Sequence, residues 1–135
     1  MVIAVSDVKG GVRNAEGLDI TEANVKDIRA GLILEAANAP TTPKADEVLA
    51  QRGVTVLPDI YVNAGGVTVS YFEWAQNIQQ FTWEEDKINA ELHRHMRDAY
   101  AALARVVGER KVSFRTGAFV MAIGRVGRAT VLRGV

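Results

Sequence analysis

Residues 63–74 of this 135-residue chain have the sequence Asn63-Ala64-Gly65-Gly66-Val67-Thr68-Val69-Ser70-Tyr71-Phe72-Glu73-Trp74. The run follows an apolar segment, contains two adjacent glycines and ends in aromatic residues at helical spacing. It therefore predicts a strand end, a backbone opening at Gly65-Gly66 and a helix that begins near Val69. Such junctions are where α/β folds bind ligands.

Strand and helix patterns alternate upstream of this run. Leu32-Ile33-Leu34 and Val54-Thr55-Val56-Leu57 are predicted strands, because each is a short apolar segment bounded by turn residues. Between them, Thr42-Pro43 predicts the start of a helix that continues to about Gln51 and stops before Gly53. This alternation predicts an α/β fold with a mostly parallel sheet flanked by helices.

Two further elements are predicted nearer the amino terminus. A short helix over residues 22–29 should end at Gly31, with Thr21 as a possible N-cap. Residues 2–5, Val-Ile-Ala-Val, are predicted to be a buried parallel strand that ends in Asp7 and is followed by a turn at residues 9–11.

The carboxyl-terminal half is predicted to be helical. After a break near Phe81-Thr82, with Thr82 able to cap the next helix, apolar residues recur every three or four positions up to Gly108. A last helix is predicted to open at Arg115-Thr116, and its three glycines mean that it needs packing to persist.

The composition excludes several classes of protein. Sixteen basic and sixteen acidic residues give a net charge of zero, so nothing points to nucleic acid or an anionic membrane as a partner. There is no cysteine, signal peptide or long apolar run, which favours the cytoplasm. His93 and His95 point to different sides of a helix, and no metal site is predicted.

Two long motifs resemble those of one enzyme family. Residues 35–42, Glu-Ala-Ala-Asn-Ala-Pro-Thr-Thr, and the run 63–74, together with Leu57-Pro58-Asp59 and Gln76-Asn77, are similar to the coenzyme domain of the glutamate dehydrogenase family. These are the amino-acid dehydrogenases that act on Glu, Leu, Phe and Val. The resemblance extends from Val2 to about Gly134 and implies a truncated Rossmann-like domain with carboxyl-terminal helices.

The resemblance also implies site residues. Asn38 and Asn63 would turn their carboxamides to the nicotinamide and its ribose, and Val67 and Ser70 would line the amino-acid substrate pocket. From the residues alone, each asparagine could be an ordinary loop residue, Val67 a core residue and Ser70 a first-turn helix serine. Tyr71, Phe72 and Trp74 are predicted to pack in a core.

Asp7 is the candidate for the adenosine end of the coenzyme. An acid at a strand end of a dinucleotide-binding sheet can bind ribose hydroxyls, or it can simply form a turn. The resemblance favours the ribose and NAD over NADP, because a carboxylate repels a 2′-phosphate, although Lys9 and Arg13 lie close in sequence.

Several family features have no counterpart in these 135 residues. The catalytic lysine and its assisting aspartate belong, in this family, to a separate substrate domain, and the Gly-x-Gly-x-x-Gly turn for the pyrophosphate does not occur. The family also places several tens of residues where Ile20 here joins Thr21. The chain is thus expected to be a single partial coenzyme-binding domain, with a deletion at about 20/21, and to be inactive by itself.

Three origins are compatible with a partial domain of this kind: an engineered deletion, a natural remnant, or the retained part of a longer polypeptide. Loss of a central strand leaves sheet edges free, which predicts a homo-oligomer or a rearranged sheet. Two other functions stay open from the sequence: a structural α/β module that binds no nucleotide, and a nucleotide-binding regulator with a different phosphate anchor.

Overall fold

A computed structural model of the chain describes residues 4–7, 10–13 and 19–134. It has an α/β architecture with four short strands and five helices in these ranges. In chain order they are β1 (Ala4–Asp7), β2 (Gly10–Arg13), β3 (Leu32–Leu34), α1 (Pro43–Gln51), β4 (Thr55–Leu57), α2 (Asp59–Val62), α3 (Ala64–Gln79), α4 (Glu85–Arg110) and α5 (Phe114–Arg133).

The β3–α1–β4 unit confirms the sequence prediction. β3 and β4 pair in parallel, with Leu32 opposite Thr55 and Leu34 opposite Leu57. The hydroxyl of Thr42 accepts a hydrogen bond from the backbone N–H of Ala45 and so caps α1. After α1, Gly53 takes the left-handed conformation, with φ at 73°.

The core of this unit lies on one face of the two-stranded sheet. Ile33 is buried on that face, whereas Leu32 and Leu34, which point the other way, are about half exposed. The buried cluster comprises Ile20, Val25, Ala30, Ile33, Ala45 and Leu49. Residues 20–30, β3 and α1 thus share one small hydrophobic core.

Residues 22–29 do not form the predicted helix. Asn24 accepts a hydrogen bond from the Thr21 backbone N–H, but only a single 3-10 turn, Val25–Asp27, follows. The guanidinium of Arg52 donates hydrogen bonds to the carbonyls of Val25 and Ile28, which a longer helix would use for its own N–H groups. A side chain from the end of α1 therefore limits this segment to one turn.

The prediction of a parallel strand near the amino terminus was wrong for the described residues. β1 pairs antiparallel with β2, so that Ala4 lies opposite Arg13 and Asp7 opposite Gly10. Gly10 and Gly11 consequently belong to a strand and not to a turn. Val2, Ile3 and Lys9 lie outside the described residues.

The glycine pair of the 63–74 run is helical, so the predicted backbone opening is wrong. α2 continues through Asn63, which has helical φ and ψ, into α3, and the latter begins at Ala64 instead of Val69. A Cβ at Gly65 would lie 3.8 Å from the side chain of Leu92 in α4. The chain thus passes from β4 almost directly into a helix.

The three long helices form the second half of the fold. α3 ends at Gln79, and α4 begins at Glu85 with Glu84 as N-cap, so the predicted cap at Thr82 was wrong. α4 and α5 pack against each other through Leu103 and Gly117. No helix within the described residues is long and apolar enough to cross a membrane.

Gly117 sets how closely α4 and α5 approach. A Cβ at this position would lie 2.8 Å from Val107 Cγ2, whereas a Cβ at Gly124, in the same helix, would meet open space. Gly117→Ala is expected to overpack this contact, and Gly124→Ala to gain helix propensity. The free energy of unfolding, measured in urea, should be about 2 kcal/mol lower for Gly117→Ala than for Gly124→Ala. Equal stabilisation of both variants would contradict the close packing.

Candidate functional site

The candidate site lies at the carboxyl ends of the two parallel strands. Residues 35–42 follow β3, and residues 58–63 follow β4. Because the strands are parallel and paired, these two segments meet at the same edge of the sheet. This is the edge at which open α/β sheets bind their ligands.

The structure brings together two of the predicted site residues. The Nδ2 of Asn63 donates a hydrogen bond to the Oδ1 of Asn38, with 2.7 Å between the two atoms. Asn38 is exposed and Asn63 partly exposed. This bond uses one polar atom of each carboxamide, so the Nδ2 of Asn38 and the Oδ1 of Asn63 are available for other partners.

Asp59 holds the loop that carries Asn38. Its Oδ2 accepts a hydrogen bond of 2.7 Å from the backbone N–H of Ala39, and its Oδ1 accepts one from the N–H of Ile60. Ala39 has a φ of 48°, a left-handed conformation that is unfavourable for a residue with a Cβ. The carboxylate of Asp59 thus stabilises a strained turn next to Asn38.

Glu35, the first residue after β3, is completely buried. Its backbone N–H donates to the carbonyl of Leu57, and its Oε2 accepts from the N–H of Asp59 at 3.0 Å. The guanidinium of Arg115 forms a fork with the Glu35 carboxylate, at 2.7 Å to Oε1 and 3.0 Å to Oε2. A buried carboxylate needs such partners to stay charged.

Arg115 is shared among three carboxylates. Besides Glu35, it contacts Asp46 at 2.9 Å and approaches Asp59 at 4.0 Å. Burial disfavours its charge, but the hydrogen bonds to Glu35 and Asp46 outweigh burial and hold the pKa of Arg115 above its ordinary value. The guanidinium is therefore a permanent positive charge next to Glu35, Asp46 and Asp59.

Tyr61 anchors the other segment of the site to α4. Its hydroxyl donates to the carbonyl of Met96 at 3.2 Å, and its ring lies 5.9 Å from that of Tyr100. Burial raises the pKa of the Tyr61 phenol, with a smaller contribution from Tyr100. The α2 turn before Asn63 is thus attached to α4.

Two of the remaining predicted residues, Val67 and Ser70, lie in α3. Val67 is 70% exposed, and the Ser70 hydroxyl, also exposed, donates to the carbonyl of Gly66 at 3.1 Å. Neither side chain belongs to a core. Asp7 ends β1, and its side chain lies outside the described part of the structure.

The aromatic residues of α3 were only partly predicted. Phe72 is buried as expected and packs on Trp83 and His95. The prediction was wrong for Tyr71 and Trp74, which are 61% and 57% exposed. Their rings lie 5.7 Å apart, centroid to centroid, on the exposed surface of α3.

Glu35 and Arg115 are the residues that sequence analysis missed. An acid directly after the apolar run Leu32-Ile33-Leu34 signals a buried carboxylate at a strand end. Its partner lies 80 residues away, and no spacing rule connects the two. Within the described ranges, no three His, Asp or Glu side chains are grouped so that they could hold a metal ion.

Comparison with known proteins gives one consistent result. The family model described as Glutamate/Leucine/Phenylalanine/Valine dehydrogenase matches residues 19–134. A glutamate dehydrogenase of Thermotoga maritima is 36% identical over 178 residues, covering 99% of this chain and 43% of the relative. This chain therefore spans less than half the length of that protein.

Solved structures agree with this result. The crystal structure of glutamate dehydrogenase from Peptoniphilus asaccharolyticus has a TM-score of 0.80 and 33% identity, covering 97% of this chain and 40% of the other. The hetero-hexameric glutamate dehydrogenase from Thermus thermophilus, in its Leu-bound form, has a TM-score of 0.82. At 24% identity, with 99% of this chain and 42% of the other covered, the latter supports the fold alone.

Arg115→Met is expected to lower the free energy of unfolding by about 3 to 5 kcal/mol, because it leaves the Glu35 carboxylate buried without its cation. Urea unfolding followed by circular dichroism measures this loss. Arg94→Met is the matched control, because Arg94 pairs with Glu91 at 2.6 Å on the exposed surface of α4. That variant should lose much less stability, because exposed ion pairs contribute little. Similar losses in both variants would show that the buried Glu35–Arg115 pair contributes no more to stability than an exposed ion pair.

Proposed function

The chain belongs to the glutamate/leucine/phenylalanine/valine dehydrogenase family, and from this membership we propose that it is the coenzyme-binding part of an amino-acid dehydrogenase. The whole enzyme would convert L-glutamate or a related amino acid, with NAD(P)+ and water, into a 2-oxo acid, ammonia and NAD(P)H. The bound coenzyme supplies the hydride acceptor for that oxidation. The residues of this chain would bind and orient it.

The Asn38–Asn63 pair is the observation that carries this proposal. A nicotinamide has a carboxamide with one donor group and one acceptor, and the pair leaves the Asn38 Nδ2 and the Asn63 Oδ1 free for such a partner. The pair lies at the carboxyl ends of parallel strands and is open to solvent. The residues present therefore fit the nicotinamide end of the coenzyme.

The adenosine end has less support. Asp7 remains the proposed partner of the ribose hydroxyls, and it favours NAD, with NADP as the second possibility. The sequence has no glycine-rich pyrophosphate turn in front of a helix. We therefore expect this chain to bind the coenzyme mainly through its nicotinamide half, and weakly.

Val67 and Ser70 are the proposed contacts to the amino-acid substrate. Both are exposed on the first two turns of α3, which begins directly after Asn63. A substrate carboxylate needs a hydrogen-bond donor, so the Ser70 hydroxyl would have to turn away from the Gly66 carbonyl to bind it. Val67 would contact the substrate side chain.

We propose that the chain is a single partial coenzyme-binding domain. The alignment with the Thermotoga maritima protein extends over 178 residues, 43 more than the 135 of this chain. This supports a missing internal segment, for which we propose the Ile20–Thr21 junction. The catalytic lysine and aspartate of the family have no proposed counterpart here, and the chain alone should be inactive.

A calorimetric titration with NADH tests the proposed function. We expect saturable binding to the unmodified chain and an affinity about tenfold lower in Asn38→Ala and Asn63→Ala, because each loses a carboxamide hydrogen bond. Asn77→Ala, which removes an exposed asparagine near the far end of α3, is the matched control and should bind as the unmodified chain does.

The outcomes separate two functions. No heat from a correctly folded chain would mean a structural module that does not bind nucleotide. The same sample, given NAD and L-glutamate, should show no reduction at the nicotinamide absorbance band. If NAD were reduced, the proposal that this chain is inactive without the family's catalytic lysine and aspartate would be wrong.

We also propose that the chain forms a homo-oligomer. Among the described strands, β3 and β4 pair only with each other, and Leu32 and Leu34 remain about half exposed on the open face of their sheet.

Sedimentation velocity should show a dimer or larger species. A Leu32→Lys, Leu34→Lys double variant should be monomeric, and Ile123→Lys, in an exposed position of α5, should not change the assembly. A monomeric unmodified chain would contradict the proposal.

A further inference from the structure

The loop that carries Asn38 depends on one distant contact. Ala39 takes its left-handed conformation with its N–H bound to the Asp59 carboxylate at 2.7 Å. Asp59 in turn belongs to the α2 segment that leads to Asn63. The Asp59 carboxylate thus connects the two segments that present the carboxamide pair.

Asp59 is itself held from behind. Its backbone N–H donates a hydrogen bond to the Oε2 of Glu35. The same oxygen also accepts a hydrogen bond from the Nη1 of Arg115, with 3.0 Å between the two atoms. The Asp59 Oδ1 lies 4.0 Å from that Nη1. Arg115 therefore interacts with Asp59 twice, once directly by charge and once through Glu35.

Charge makes this arrangement dependent on Arg115. Three carboxylates, those of Glu35, Asp46 and Asp59, converge on one guanidinium. Without it, Glu35 and Asp59 would carry like charges on adjacent segments, and the Asp59 carboxylate would be driven towards solvent. Such a movement would remove the acceptor from the Ala39 N–H.

We propose that Arg115 is a positioning residue for coenzyme binding, which acts through Glu35 and Asp59 to hold Asn38 and Asn63 in their paired arrangement. This inference rests on the proposed coenzyme function of the pair. Arg115 is the second residue of α5 and lies 80 residues from Glu35 in sequence. The orientation of α5 would in this way be transmitted to the nicotinamide end of the site.

Amide hydrogen exchange of the 15N-labelled chain, without coenzyme, tests the relay directly. In Arg115→Lys, a single ammonium cannot contact Glu35, Asp46 and Asp59 together as the guanidinium does, so exchange of the Ala39 amide should increase at least tenfold more than that of the Leu49 amide. Leu49, fully buried in α1, reports any general loss of stability. Arg94→Lys is the matched control and should change neither amide.

A double-mutant cycle separates positioning from ordinary stabilisation. Asp59→Ala should by itself increase the exchange rate of the Ala39 amide. In the Asp59→Ala background, Arg115→Lys should not increase that rate further. NADH affinity should follow the same pattern, with about a tenfold loss in each single variant and no additional loss in the double variant. If Arg115→Lys does not fold, Glu35→Gln, which keeps the shape of the side chain, takes its place in the same cycle.

Two results would overturn the relay: equal changes at Ala39 and Leu49, or a full Arg115→Lys effect that persists in the Asp59→Ala background. Either would make Arg115 a stabilising residue only. Failure of the unmodified chain to bind NADH would instead remove the proposed function, and the exchange measurements would still decide whether Arg115 positions the carboxamide pair.

Discussion

The rest of this structure depends on the burial of one carboxylate. Glu35 directly follows β3 and is fully buried, so the fold must supply a cation and further hydrogen bonds for it. Arg115 supplies the cation, which places the start of α5 against the end of β3. Because α5 packs on α4 at Gly117, the same ion pair connects the sheet with the helical half. Replacing Glu35 by a hydrophobic residue would remove the electrostatic reason for that arrangement.

The elements that sequence analysis predicted correctly are those with local causes. Leu32-Ile33-Leu34, the Thr42-Pro43 cap and Gly53 determine β3, α1 and the following turn within a few residues of themselves. The structure places the side chains of Asn38 and Asn63 within hydrogen-bonding distance of each other, and their role at a nicotinamide stays a prediction. Local pattern was sufficient for β3, α1 and the turn at Gly53.

The wrong predictions have distant causes. Residues 22–29 have helical features, but the Arg52 side chain, directly after α1, donates hydrogen bonds to the carbonyls of Val25 and Ile28. Gly65 suggested an open loop, yet it lies in α3 and faces the side chain of Leu92 in α4. The Glu35–Arg115 pair combines residues 80 positions apart. None of these contacts leaves a periodic or spacing signal in a single sequence.

The partial sheet divides the proposed coenzyme site into two unequal halves. Orientation of a nicotinamide needs a few fixed polar groups, and in the proposed site these would be Asn38 and Asn63, supported by the Glu35–Arg115 ion pair. The pyrophosphate of a dinucleotide binds at a helix N-terminus after a glycine-rich turn, and the sequence has no Gly-x-Gly-x-x-Gly turn of this kind. A chain with the first half and without the second should therefore retain the geometry of coenzyme recognition while losing most of its strength.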